Sequence, residues 1–228
     1  MRIPPLPALV LLALAASGCS LDGRAASEIE ATLPEALGPA DSYEATVDGF
    51  RLTSSSADRV AVIGRRVARE GSPVIARLDV TLWGVAFDRG AGELTRVDSA
   101  RAVAAFVPQD LAAYLIDQGV VTDASLTFSE PDRMSIRVEG ELRGIRIPVG
   151  AEILGRLRAS GGRVVLDVES VRAAGLSLGG RIASEVGRRI NPIADLTEED
   201  IALDVTRVRV SNGVLVVEAT ADPADLTR

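Results

Sequence analysis

The sequence predicts an α+β fold in which a long, strongly curved antiparallel sheet wraps one or two amphipathic helices. Three observations predict it. Most of the 228 residues fall in runs where apolar and polar side chains alternate with period two. Two stretches, Pro108 to Gln118 and Leu178 to Ile190, change to a period near four, as amphipathic helices do. Short glycine-bearing turns separate many of the runs, and tight turns join antiparallel neighbours.

The chain opens on an address rather than a domain. Arg2 precedes an apolar run, Leu6 to Ala16, followed by Ser17-Gly18-Cys19. The run is shorter than the roughly 20 residues a membrane helix needs and fits the h-region of a secretory signal. Small residues before a cysteine resemble a bacterial lipobox. Residues 1–18 then form a lipoprotein signal peptide and Cys19 carries acyl chains, anchoring an extracytoplasmic protein to the bacterial cell membrane. The plainer alternative is a secreted protein with a chance cysteine. Cys19 is the only cysteine, so no disulfide forms within the chain.

Residues 19–42 hold the lipidated N-terminus and a leading helix. Ser27-Glu28-Ile29-Glu30 reads as a capping box, with Ile29, Leu33 and Leu37 along one side. Four strands follow, from Tyr43 to Leu52, Arg59 to Arg69, Val74 to Phe87 and Glu93 to Val103. Pro108 suits the first position of the next helix and Gly119 its stop, with Leu111 and Leu115 facing inward. Val121 to Phe128 is a strand with Ala124, Leu126 and Phe128 inward.

Some strands change phase partway. Val74 to Leu82 alternates in one phase, then Trp83, Val85 and Phe87 take over. Met134, Ile136 and Val138 likewise give way, at Gly144, to Ile145, Ile147 and Val149. A β-bulge beside glycine makes such a shift and curls the sheet. A pair of separate strands, with Pro148 marking a break, accounts for the pattern equally well.

The organising stretch is Gly162 to Leu196. Val164, Leu166 and Val168 share one strand face, with Arg163, Asp167 and Glu169 opposite. Leu178, Ile182, Val186 and Ile190 then form a helical stripe with Ala183 beside it, ending near Asn191 because Pro192 follows. Thr197 to Asp200 reads as a helical turn. Ile201 to Ser211 and Val214 to Thr220 pair around Asn212-Gly213, a type I′ signal. One domain spans 43–222, and 223–228 is a short tail.

Composition narrows the chemistry. Hydrophobic residues are 47% and aromatics 3%, so the interior is aliphatic. All 25 basic residues are arginine and histidine is absent. Ser-His, Cys-His and Ser-Lys nucleophiles, Schiff bases, P-loops and imidazole metal sites are thereby excluded. A formal charge of −7 without a basic tract argues against nucleic acid. The carboxylates Asp167, Glu169 and Glu198-Glu199-Asp200 lack a converging partner in sequence, so no catalytic residue, metal or cofactor is expected. A carboxylate-dependent hydrolase would need them to meet in a cleft. Arg188 and Arg189 either meet a phosphate head group or form a solvated helix end.

The lipobox, the long strands, the segment VxLDVxxVxxAGLxLG (Val164 to Gly179), the helix, Asn191-Pro192 and the closing Asn-Gly hairpin together resemble the LmeA-like phospholipid-binding proteins of the bacterial cell envelope. The resemblance implies a curved sheet around a helix, similar to tubular lipid-binding folds, and non-catalytic binding of phospholipid in support of envelope lipid and glycolipid maintenance. It directs attention to an aliphatic groove between helix and sheet. The expected lining is Leu78, Val80 and Leu82, the helical pair Leu111 and Leu115, then Ile136, Val138, Leu166 and Val168, closed by Ile182 and Val186. The rival expectation is a scaffolding lipoprotein with a filled core that recruits an envelope enzyme.

Overall fold

The computed structural model describes residues 21–88, 93–142, 145–195 and 203–227. Helix α1 (Leu21–Leu37) leads into β1 (Ser42–Asp48), β2 (Ser56–Val67), β3 (Ile75–Asp88), β4 (Glu93–Arg96) and β5 (Ser99–Phe106). Helix α2 (Pro108–Asp117) then precedes β6 (Val121–Ser129), β7 (Arg133–Leu142), β8 (Ile145–Ser160), β9 (Arg163–Ala173) and β10 (Leu176–Leu178). Helix α3 (Gly180–Ile190), β11 (Ala194–Asp195), β12 (Leu203–Ser211), β13 (Val214–Ala221) and α4 (Pro223–Leu226) complete the chain.

The strands form two open antiparallel sheets rather than one. The first has the order β1-β2-β3-β5-β13-β12, with β4 paired to β3. The second has the order β10-β9-β8-β7-β6, with β11 paired to β9. They meet where β12, an edge strand of the first sheet, lies against β8 and β9 of the second. The fold is therefore α+β, as the alternation predicts, but divided.

The two phase changes differ in origin, and at the first the pairing of β2 with β3 keeps one register, so no one-residue bulge between them makes it. β3 is a single 14-residue strand through its switch. Gly84 there has φ of 61°, a left-handed conformation cheap only for glycine. It brings Val85 into the same buried cluster that Val80 and Leu82 pack against. The later switch instead separates two strands, with Leu142 paired to Ile145. Gly144 lies outside the described residues. Pro148 falls inside β8 and does not break it.

Two hydrophobic clusters result. The smaller sits under α1 and contains Ala25, Leu33, Val47, Val60, Val62 and Val85. Asp22 Oδ1 accepts from the Phe50 N–H at 2.9 Å and Glu30 Oε1 from the Ala45 N–H at 2.7 Å, tying α1 to the β1 region. The capping box at Ser27 is not used. The described helix already runs from Leu21, so Ser27 is interior and its hydroxyl donates to the Gly23 carbonyl at 3.1 Å. Interior serines commonly bond back one turn in this way. The tail is ordered into α4, whose cap is Asp222 accepting from Ala224 N–H at 2.9 Å. Among the described residues no helix is long and apolar enough to cross a membrane.

Candidate functional site: the aliphatic interior beneath α2 and α3

The larger cluster is built strand by strand. Met134, Ile136 and Val138 project from β7, Ala151, Ile153 and Leu157 from β8, and Val164, Leu166 and Val171 from β9. Period-two alternation puts the β7 and β8 sets and Val164 and Leu166 on one face of the second sheet, and the register shift of β9 opposite Leu154 and Gly155 returns Val171 to that face. Leu111 and Leu115 of α2 and Ala183, Val186 and Ile190 of α3 cover that face. Val205 and Val210 of β12 and Leu215 and Val217 of β13 join the same cluster. No polar or charged side chain is buried with them among the described residues. The interior is close to a hydrocarbon medium, with dispersion and apolar burial as its main attractions.

Leu111, Leu115, Ile136, Val138, Leu166 and Val186 all lie in this cluster, and half-buried Val168 packs on it. Val80 and Leu82 instead pack against the cluster under α1. Leu78 is buried outside both clusters. Ile182 is 44% exposed. The expected α3 stripe through Ile182 is thus shifted: the buried positions are Ala183, Val186 and Ile190. At 3.6 residues per turn these three share a narrow arc, and Ile182 sits at its rim.

Sequence inspection missed how α3 is fastened. Asn191 Oδ1 accepts from the Leu166 N–H at 2.7 Å, and its Nδ2 donates to the Leu166 carbonyl at 2.9 Å. The Ile193 N–H donates to the Val164 carbonyl at 2.9 Å, and Ala194 and Asp195 continue as β11. The chain leaving α3 therefore seals part of the edge of β9. Gly187 faces Val168, and a Cβ added there would make an ordinary contact at 3.5 Å from Val168 Cγ2. An asparagine directly after an amphipathic helix was the one available clue.

The charged candidates are held apart from this interior. Arg188 and Arg189 both pair with Glu185 on the outer side of α3, the latter at 2.9 Å. The hydrogen bond from Arg189, then the charge of Arg188, pulls the Glu185 carboxyl below its usual range. Asp167 and Glu169 are bound across strands by Arg158 at 2.5 Å and Arg156 at 2.6 Å on the exposed face. Glu198, Glu199 and Asp200, and Cys19, lie outside the described residues. No metal-ligating cluster occurs among the described residues. A recess of 560 Å³ opens at the surface between the β8–β9 turn and β13, lined by Gly161, Leu203, Asp204, Thr220, Asp222 and Asp225 among others. Its walls are mixed and it is separate from the aliphatic interior.

These features define an α+β protein of two antiparallel sheets whose largest buried surface is aliphatic and roofed by two helices. A family model described as LmeA-like phospholipid-binding matches residues 21–220, and the chain belongs to that family. No curated protein and no solved structure matches it.

Proposed function

We propose that this protein is a lipid-anchored envelope protein that takes up phospholipid acyl chains between the second sheet and the helices α2 and α3, as carrier or sensor. One observation carries the reading beyond family membership: the interior there is one contiguous apolar cluster, mostly aliphatic with Phe106 and Phe128, and without a buried polar side chain among the described residues. An acyl chain entering it would be stabilised by about 0.8 kcal/mol for each buried CH₂. The strong curvature expected of the sheets, wrapping them on the helices around the lipid, belongs to this proposal. No chemical step is assigned, and the partner is phospholipid or a related envelope lipid. Anchoring falls to Cys19, two residues before the described start of α1.

Purification from native membranes followed by lipid mass spectrometry tests the binding. Stoichiometric phospholipid is expected, and a lipid-free protein that also ignores added phospholipid overturns it. Cys19→Ala tests the anchor: the variant should leave the membrane fraction or stay unprocessed. A wild type recovered soluble and unacylated would refute anchoring alone.

A scaffolding role in recruiting an envelope enzyme is the second reading. It is favoured by the closeness of the packing, since Leu111, Leu115, Ile136, Ile153 and Leu166 are all 2% exposed or less. Co-purification of a protein partner without lipid would select it.

A further inference from the structure

The apolar face of β9 and β10 does not stop where the core stops. Leu178 lies opposite Val171 and packs on the main cluster, and Leu176 lies opposite Ala173 on the same face. Yet Leu176 is 71% exposed, the most of any large hydrophobic among the described residues. It is held out by a two-residue turn, Ala174 and Gly175, both with positive φ (49° and 77°). A few residues on, Ile182 in the first turn of α3 is also exposed. Gly179 and Gly180 between them have open space around their Cα atoms. Leu176 and Ile182 fall on one short excursion, whereas the other exposed large hydrophobics among the described residues, Leu21, Trp83 and Ile116, lie singly on other elements.

The charges along this stretch are mostly positive. From Arg172 to Ile190 there are four arginines and one glutamate, in a chain of formal charge −7. Glu185 is engaged by Arg188 and Arg189. Exposed Arg172 and Arg181 have no carboxylate partner among the described residues. Glu152, level with Arg172 on β8, accepts from the Ser135 hydroxyl at 3.1 Å instead. No acidic residue in the first turn of α3 offsets Arg181.

We propose that the β10–α3 excursion is a membrane-docking tip: Leu176 and Ile182 insert into the acyl region while Arg172 and Arg181 meet the phosphates of an anionic phospholipid surface. This inference rests on the phospholipid-binding reading above. Aliphatics flanked by arginines suit a bilayer boundary, where the apolar group is buried and the guanidinium stays among the head groups. The tip would place the covering helix α3 at the surface from which lipid is drawn.

The test uses the full chain and its single tryptophan, Trp83, which is exposed on β3. Combining Trp83→Phe with Leu176→Trp moves the fluorophore to the tip without disturbing a buried site. Vesicles of brominated phosphatidylglycerol should quench the tryptophan at position 176, and brominated phosphatidylcholine should not. Wild-type Trp83 should be quenched by neither. Arg172→Gln with Arg181→Gln should lower the docked-to-undocked ratio roughly thirtyfold, from about 1 kcal/mol for each arginine near an anionic surface. Equal quenching by both lipids, or equal quenching at positions 83 and 176, overturns the tip. So does an unquenched tip in a protein whose lipid is still found by mass spectrometry, including one that self-associates through Leu176. An unquenched tip in a protein that neither carries nor takes up phospholipid brings down the lipid-binding reading as well.

Discussion

Asn191 stands in for a β-strand on Leu166. Its amide satisfies both the N–H and the C=O that Leu166 turns away from β8, at 2.7 and 2.9 Å. The contact joins the end of α3 to the middle of the strand beneath it, 25 residues earlier. Asn191→Ala leaves both backbone groups without that partner at a half-buried sheet edge. A loss of about 2 to 6 kcal/mol is expected, each of the two orphaned groups costing about 1 to 3. Asn191→Asp keeps the acceptor but sets a carboxylate against the Leu166 carbonyl, so it should not rescue. Urea unfolding with an unchanged slope reads both.

Two glycines should respond to alanine with opposite signs. A Cβ on Gly155 would lie 2.5 Å from the Asp167 carbonyl oxygen, a backbone atom that cannot swing aside. The register of β8 against β9 shifts at this point, so the strands are already crowded. Gly155→Ala should destabilise by about 1 to 3 kcal/mol. On Gly187 the new Cβ makes an ordinary contact with Val168, and the helix gains an alanine. Gly187→Ala should stabilise by up to about 1 kcal/mol. Thermal melting separates the two outcomes.

The shifted stripe of α3 can be read by truncation. Ile190 is 2% exposed and lies in the main cluster, so Ile190→Ala should cost about 2 to 5 kcal/mol. Ile182→Ala should change stability by no more than about 0.5 kcal/mol. Equal costs in chemical denaturation would restore the stripe through Ile182.

Glu185 supplies a pH dependence. Its folded pKa is held below the ordinary 4.5, first by the hydrogen bond from Arg189 and next by the charge of Arg188. A depressed carboxyl contributes stability that is present at neutral pH and is lost as pH falls through the folded pKa, below 4.5. Carbon-detected NMR titration should place the Glu185 midpoint under that value. Arg189→Gln should raise it.

Much of the fold is legible locally. Asn212-Gly213 does form a turn with both residues at positive φ, and Ser211 faces Val214 as a type I′ hairpin requires. Pro108 opens α2, and the alternation of Met134, Ile136 and Val138 matches their burial. These features depend on residues within a few positions of each other. The placement of Val80 and Leu82 depends on where α1 packs, and nothing in the strand's own pattern says which of two helices will cover it. The exposure of Leu176 is hidden for the same reason, because its alternation matches that of half-buried Leu178.

From the residues alone came the α+β class, the hairpins, the aliphatic interior and the exclusion of histidine and lysine chemistry, since periodicity and composition act over one or two turns of chain. The division into two sheets, the separate clusters, the rim position of Ile182 and the Asn191 clasp came from the packing. Those arrangements join segments tens of residues apart, and their geometry exists only once the backbones have met.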